Sequence, residues 1–298
     1  MENKDFLLQV KSLKTSFETE RGQVTAIDGV SFNVKPGEIV GIVGESGCGK
    51  SVTVQSIMRL FDEKNIVTYD GEILYKGKDI LKMKYKDMQK IRGNEIAMIF
   101  QDPISSLNPV FSIGNQLTEA ILLHQNISKK EAWNKGIEML KLTGIPAPEQ
   151  RMKEYPHQLS GGMQQRIMIA MALSCNPSLL IADEPTTALD VTIQSQILNL
   201  ILDINKKLGM AVIFITHDLG VVSQICDRII VMYLGQIVEE CTNEELFKRP
   251  LHPYTKKLLK SIPSMDSERE ELLSTIKGSV PSLFDKPKGC MFANRCEF

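Results

Sequence analysis

One short segment limits what this chain can fold into more than any other: Gly44-Glu-Ser-Gly-Cys-Gly-Lys-Ser51, which fits the pattern G-x-x-x-x-G-K-[ST]. The apolar run Ile39–Val43 precedes it and a helical pattern begins near Lys50, so it lies between a predicted strand and a predicted helix. Its glycines let successive backbone N–H groups face a phosphate. The positive end of the helix dipole at the start of the helix also attracts the phosphate. The segment therefore predicts a nucleoside triphosphate site, with the Lys50 ammonium on the β- and γ-phosphates and the Ser51 hydroxyl on Mg²⁺.

Polar residues follow two further apolar runs. Leu179–Ala182 is followed by Asp183 and Glu184, and Ala211–Thr216 is followed by His217. Because the carboxyl ends of parallel strands meet at one edge of a sheet, we expect these side chains beside the phosphate-binding segment. Asp183 is expected to hold Mg²⁺ through water and Glu184 to orient or deprotonate the attacking water. We expect His217 to reach the γ-phosphate region.

Composition excludes several classes of protein. The 298 residues are 43% hydrophobic and 24% charged, as in ordinary globular proteins. The net charge of −1 provides no general attraction for nucleic acid or anionic lipid. No apolar run approaches the roughly 18–20 residues that cross a bilayer, and the first residues show no secretory signal. The six cysteines are too scattered for a disulfide framework, which favours reduced thiols.

The hydrophobic pattern divides the chain into regions of different character. Short antiparallel strands are predicted at Leu7–Val10, Val30–Val34 and Gly71–Tyr75. Continuous apolar runs predict a mainly parallel sheet covered by helices, and they lie at Ile39–Val43, Leu179–Ala182, Ala211–Ile215 and Arg228–Tyr233. The stretch 102–162 is predicted to be an inserted helical subdomain, with a capping-box start at Ser128–Glu131. After about residue 235 we expect short helices interrupted by prolines.

A second glycine-containing segment, Leu159-Ser-Gly-Gly-Met-Gln-Gln-Arg166, predicts an anion site at the start of a helix near Met163. Together with the phosphate-binding segment it resembles the ATP-binding cassette (ABC) ATPases. The resemblance implies that Ser160, Gly161, Gly162 and Gln164 form a half-site for a γ-phosphate bound on a second subunit. Met163 stands where the commonest form of this signature has Gln.

The resemblance implies roles for residues outside these two segments. Gln101, after Ile96–Phe100, would touch Mg²⁺ and the attacking water, and Ala188–Asp190 would cross to the opposite subunit. Phe17 would stack on adenine, with Val24 close to the ribose. The catalytic set is thus Lys50, Gln101, Glu184 and His217, and the Mg²⁺ set is Ser51, Gln101 and Asp183. The implied ATP contacts are Phe17, Val24, Gly44, Glu45, Ser46, Gly47, Cys48, Gly49, Lys50, Ser51, Val52 and Gln101.

The implied architecture is an α/β fold with a RecA-like P-loop ATPase core, an antiparallel β subdomain, an inserted α-helical subdomain and a short C-terminal extension. We expect the ABC ATPase domain over 1–245, with its catalytic core at about 1–100 and 164–245 and the helical insertion at about 101–163. Residues 246–298 would form the extension, which resembles that of oligopeptide importers.

Two segments carry the resemblance to one subfamily, the D-type ATPase subunits of bacterial dipeptide and oligopeptide importers: Ser160–Leu173 and Pro250–Leu259. The segment Gly289–Cys296 is similar to the start of that subfamily's four-cysteine iron–sulfur motif. Because a [4Fe–4S] cluster needs four ligands, Cys290 and Cys296 are only two candidate ligands. Either the motif is shortened here or the cluster is absent.

The subfamily implies partners and a location. The implied partners are a second ATPase subunit, either of F-type or a second copy in a head-to-tail dimer, together with two transmembrane permeases and an extracytoplasmic binding protein. The protein would lie at the cytoplasmic face of the membrane, and no nucleic-acid partner is expected. A nickel or metal-chelate importer is the alternative within transporters. A DNA-repair or chromosome-maintenance ATPase would need a long heptad insertion within 52–159, which is absent. A non-hydrolysing regulatory cassette would lack the acid or histidine, yet Glu184 and His217 are present.

Overall fold

The structure is a computed structural model that describes residues 5–61, 66–102, 106–186, 190–261 and 276–298. The chain folds as two compact units. The first unit comprises Met1–Lys35, Ile39–Lys82 and Phe214–Phe298, and the second comprises Pro36–Glu38 and Met83–Ile213.

The described part of the chain contains ten strands and ten α-helices. The strands are β1 (Leu8–Thr19), β2 (Gly22–Val34), β3 (Ile39–Val43), β4 (Val67–Tyr75), β5 (Lys78–Asp79), β6 (Ile96–Ile99), β7 (Leu179–Asp183), β8 (Ala211–Ile215), β9 (Arg228–Tyr233) and β10 (Gln236–Thr242). The α-helices are α1 (Lys50–Ile57), α2 (Tyr85–Ile91), α3 (Ile113–His124), α4 (Lys129–Leu142), α5 (Pro148–Arg151), α6 (Gly161–Leu173), α7 (Val191–Leu208), α8 (Leu219–Ile225), α9 (Asn243–Lys248) and α10 (Pro253–Lys260).

The first unit contains an antiparallel sheet in the order β2-β1-β4-β5. It also contains the parallel pair β3 and β9, on which β10 adds an antiparallel strand. All five residues of β3 are buried, which is why this strand reads as a continuous apolar run. The central residue of β3 is a glycine, Gly41, because a Cβ at this position would be only 2.8 Å from Cys226 Sγ.

The second unit combines the parallel pair β6 and β7 with a group of helices. Ser128 and Glu131 form the predicted capping box at the start of α4, since each side chain pairs with the backbone N–H of the other residue. The helices enclose a core of their own, formed by Leu107, Ile113, Leu117, Leu140, Ile145, Met152, Leu159, Ile167 and Ala170.

The sequence predicted the buried strands more closely than the exposed ones. β3, β8 and β9 have the predicted bounds. The first two antiparallel strands are much longer than predicted, because the pairing of β1 and β2 shifts register between Val10 and Leu13 and interrupts the alternating pattern. The expectation of helices alone after residue 235 was wrong, since Gln236–Thr242 forms β10. None of the helices in the described part of the chain is long and apolar enough to cross a bilayer.

Candidate nucleotide-binding site

The phosphate-binding segment connects β3 to α1, as the sequence predicted. Gly44 and Gly49 have φ angles of 151° and 106°, in the left-handed region that glycine tolerates. A Cβ on Gly44 would be 2.3 Å from the carbonyl oxygen of Met232, and one on Gly49 would be 2.7 Å from Ile27 Cδ1. The loop is therefore a close-packed cradle that only glycine fits at these two positions.

Lys50 is fixed within this loop although it begins a helix. Its Nζ donates hydrogen bonds to the carbonyl oxygens of Gly44 and Glu45, at 2.8 and 3.1 Å, and the residue is only 6% exposed. Cys48 N–H donates to Glu45 O, which closes a turn inside the loop. Because Gly49 is the N-cap of α1, no side chain caps the helix, and its first N–H groups remain suited to a phosphate.

The other loop residues differ in exposure. Ser46 and Gly47 are exposed, Ser51 and Val52 are half-buried, and Cys48 is fully buried. Burial raises the pKa of the Cys48 thiol. These residues fit a bound nucleotide with Mg²⁺: the cradle suits a phosphate, and the Ser51 hydroxyl is an oxygen ligand of the kind that Mg²⁺ prefers.

Two residues of the second unit predicted to act on the attacking water are in contact. Gln101 Nε2 donates to Glu184 Oε2 at 3.0 Å. The contact follows from the topology, because β6 and β7 are parallel neighbours and these residues come just after their carboxyl ends. Asp183 is the last residue of β7 and is 3% exposed, and Glu184 has a φ of 47°. This sharp turn after β7 gives the two adjacent carboxylates different surroundings.

The signature segment starts α6 two residues earlier than predicted. Ser160 is the N-cap, and its Oγ accepts from Met163 N–H at 3.4 Å. Gly161 is exposed, and a Cβ on Gly162 would be 3.2 Å from Ile193 Cγ2. Ser160 and the open backbone after it thus form the predicted exposed helix start.

Both glutamines of the signature segment, Gln164 and Gln165, donate hydrogen bonds to backbone carbonyl oxygens of this chain. Gln164 Nε2 donates to the carbonyl oxygens of Pro156 and Leu159, at 2.8 and 3.3 Å. Gln165, which the sequence analysis did not single out, is 2% exposed and donates to Pro185 O at 2.6 Å. Gln165 therefore connects the signature helix to the residue that follows Glu184. These two segments are distant in sequence, and no local pattern predicts the contact between them.

Three further predicted residues lie at the ends of elements. Asp190 is the exposed N-cap of α7, where its Oδ1 accepts from Ile193 N–H at 2.9 Å; Ala188 and Leu189 lie outside the described residues. His217 is exposed just after β8. Phe17 and Val24 are direct cross-strand partners on β1 and β2.

Phe17 has an aromatic neighbour, Phe61, that was not predicted from the sequence. The Phe61 ring lies edge-on to it, with 4.9 Å between the centroids. Phe61 follows the end of α1, and nothing in its local sequence marks it as a neighbour of β1.

The C-terminal cysteines lie in the first unit. Cys290 is exposed and Cys296 is half-buried. Among the described residues, no group of three or more His, Cys, Asp or Glu side chains is arranged to hold a metal ion. The structure therefore adds no further ligands to the two candidate cysteines.

Two further residues of the C-terminal part of the chain, Tyr254 and Arg295, contact the phosphate-binding loop Gly44–Ser51. Tyr254 OH accepts from Glu45 N–H at 2.9 Å, and the Arg295 guanidinium pairs with the Glu45 carboxylate at 2.7 and 3.1 Å. Both residues lie in segments that carry the subfamily resemblance, Pro250–Leu259 and Gly289–Cys296, but no role was predicted for either of them.

These features define a P-loop ATPase with an α/β core, and the comparisons with known proteins narrow the class. The ABC transporter profile matches residues 27–187, and the profile of the oligopeptide/dipeptide transporter C-terminal region matches residues 238–298. The chain belongs to the ABC transporter ATP-binding family and is an ABC-type ATPase.

Relatives and solved structures agree with this assignment. The oligopeptide transport ATP-binding proteins AppD and OppD of Bacillus subtilis (strain 168) are each 54% identical to it. The matches cover 97% and 98% of this chain and 88% and 82% of theirs. A dimeric ATP-binding cassette bound to ADP and Pi is 29% identical with a TM-score of 0.71, and covers 79% of this chain and 98% of that one. The cassette cbiO1 from Clostridium perfringens, part of an ABC transporter complex, is 30% identical with a TM-score of 0.69, and covers 82% and 92%. These neighbours confirm the predicted RecA-like fold class.

Proposed function

We propose that this protein is the ATP-hydrolysing subunit of a bacterial peptide importer, which drives uptake of dipeptides or oligopeptides through membrane permeases. The observation that carries the proposal is the match of residues 238–298 to the C-terminal region of oligopeptide/dipeptide transporters. The names of the relatives, which include the dipeptide transport ATP-binding protein DppD of B. subtilis at 54% identity, favour peptides over nickel or metal chelates.

The phosphate-binding loop would hold the triphosphate, with Lys50 donating to the phosphate oxygens and Phe17 stacked on adenine. When bound, Mg²⁺ would supply positive charge that offsets the negative charge of the phosphates. Asp183, Ser51 and Gln101 would hold that ion, and Gln101 would also hold Glu184 in place through the hydrogen bond described above. Glu184 would take a proton from the attacking water.

A second ATPase subunit would complete the site. We propose that Ser160 and the following backbone N–H groups of α6 bind the γ-phosphate held by the opposite subunit, towards which Asp190 would also extend. His217 would reach the γ-phosphate bound on its own chain. Loss of the γ-phosphate on hydrolysis would remove the ligand that both subunits share, and the dimer would open. ATP drives closure because the closed dimer binds it more tightly than the open one.

The same proposal assigns the regions of the chain. Residues 1–245 would be the ATPase domain, with the helical insertion at about 101–163 contacting a permease, and 246–298 the extension. The partners would be an F-type ATPase subunit, two permeases and an external binding protein, with this chain peripheral at the cytoplasmic face of the membrane. A cluster at Cys290 and Cys296 would need two more ligands.

The test is transport by the assembled complex. The chain is co-expressed with candidate permease and ATPase subunits from the same organism and reconstituted in vesicles with a candidate binding protein. We expect peptide uptake that requires ATP and is lost in Lys50→Ala. Lys248→Ala, which removes an exposed lysine paired with Glu244 on α9, is the matched control and should transport normally. Uptake of Ni²⁺ chelates in place of peptides would overturn the proposal.

A further inference from the structure

Every polar group of Glu45, the second residue of the phosphate-binding loop, is engaged. Its carbonyl oxygen accepts from Lys50 Nζ, its N–H donates to Tyr254 OH, and its carboxylate pairs with Arg295. Tyr254 and Arg295 belong to the C-terminal region, more than two hundred residues along the chain. Glu45 is thus the point at which that region meets the loop.

Arg295 is held in place by several hydrogen bonds and anchors the side chain of Glu45. The guanidinium makes two hydrogen bonds to the Glu45 carboxylate, and its side chain is only 4% exposed. Three carbonyl oxygens, those of Ile276, Lys277 and Gly278, accept its other N–H groups at 3.1–3.2 Å. Hydrogen bonding to Glu45 raises the pKa of Arg295. Because Arg295 pairs with two oxygens of the Glu45 carboxylate and is itself fixed by other hydrogen bonds, the Glu45 side chain has little freedom to move.

Tyr254 is fixed by aromatic packing rather than by charge. It is fully buried, and its ring lies 4.8 Å from the Tyr233 ring and 5.3 Å from the Phe292 ring, between centroids. Lys257, one turn further along α10, donates to the carbonyl oxygen of Arg295 at 2.9 Å. The two anchors therefore belong to one packed assembly of the C-terminal region.

We propose that Arg295 and Tyr254 are positioning residues for the nucleotide site, which hold Glu45 so that its carbonyl keeps Lys50 directed at the phosphates. The proposal rests on the assignment of Gly44–Ser51 as the phosphate-binding loop. Neither residue touches nucleotide; both act through the Glu45 backbone and side chain. The C-terminal region would then set the affinity of the loop for phosphate.

The test measures affinity of the full-length chain for MgATP and for AMP, which lacks the β- and γ-phosphates. Arg295→Met keeps the length of the buried stem and removes the anchor. We expect about a tenfold weaker affinity for MgATP, a change of about 1.4 kcal/mol, and unchanged affinity for AMP. A merely destabilised fold would lower both affinities together. Tyr254→Phe removes one hydroxyl and should give a smaller loss of the same kind.

A double-mutant cycle tests the route through Glu45. Glu45→Gln should weaken MgATP binding about as much as Arg295→Met, and the double variant should be no worse than either, because the two residues act as one unit. Arg151→Gln is the matched control, since Arg151 also pairs with a carboxylate, its Nη1 donating to both oxygens of Glu154 elsewhere in the chain. This variant should bind MgATP as the wild type does.

Three results would overturn the proposal, and the first is distinguishable from the other two. If Lys50→Ala binds MgATP normally, the loop is not the phosphate site and both the function and the positioning role fail. If Lys50→Ala loses binding but Arg295→Met does not, or if the effects of Glu45→Gln and Arg295→Met simply add, only the positioning role fails.

Discussion

Ser160 is expected to have two separable roles, one in its own helix and one towards a nucleotide on another subunit. Its Oγ accepts from Met163 N–H at 3.4 Å, longer than the usual range for such bonds. Replacing an N-cap serine by alanine costs about 0.5–2 kcal/mol, and the long contact places Ser160→Ala at about the low end of this range. A lost hydrogen bond to a charged phosphate is larger, about 1.5–3 kcal/mol, or roughly tenfold to over a hundredfold.

Aspartate separates the two roles because it caps helices as well as serine does but carries a negative charge. Ser160→Asp should therefore unfold in urea at the wild-type midpoint, while steady-state ATPase activity of the assembled transporter falls at least about tenfold through repulsion of the γ-phosphate. Ser160→Ala should lose both a little stability and most activity.

The matched control is Thr242→Ala. Thr242 caps α9, where its Oγ1 accepts from Glu245 N–H at 3.3 Å, and α9 carries no residue of the proposed site. This variant should lose stability of a similar size and keep full ATPase activity. ATPase activity of Ser160→Asp within about twofold of wild type would refute the reasoning, because no phosphate could then lie against this residue.

Three further results are expected. Glu184→Gln should bind ATP but hydrolyse it at least about a hundredfold more slowly, since it removes a general base; rapid phosphate release would exclude that role. Thiol reagents should label exposed Cys290 well before buried Cys48, whose raised pKa keeps it protonated to higher pH, so its slow labelling should accelerate as the pH rises; equal rates, compared by mass spectrometry, would contradict the burial. Gly41→Ala should destabilise the chain by about 1–3 kcal/mol because the new Cβ meets Cys226 Sγ at 2.8 Å, and Cys226→Ala should restore part of this in a double variant, as measured by urea unfolding.

The parts of the site that are local in sequence were predictable. A strand, a glycine-containing turn and a helix start lie within one short segment, so the position of Lys50 follows from the pattern around it. The contact of Gln101 with Glu184 was not predicted, because only the folded chain shows that β6 and β7 are parallel neighbours. The comparisons confirm the fold class and the family, while the individual roles of the site residues stay predictions.

The parts that depend on distant pairing were not predictable. Arg295 reads as an ordinary surface charge, and only the folded chain shows that it is buried against Glu45. Gln165 likewise carries no local signal for its bond to Pro185. The true length of β1 was hidden because Ser12 has a φ of 47° and disturbs the alternation of buried and exposed residues.

The way in which Lys50 is held has a consequence for selectivity. An ammonium group has three N–H bonds, and two of them already serve the carbonyl oxygens of Gly44 and Glu45. The remaining one has only a long 3.9 Å contact with Cys48 Sγ. If Lys50 binds ATP as proposed, an arriving phosphate oxygen would replace this weak sulfur acceptor while both strong bonds could persist. Lys50 would then be oriented before ATP arrives, and we expect that an arginine of equal charge, with its wide planar fork, would not reproduce that single direction.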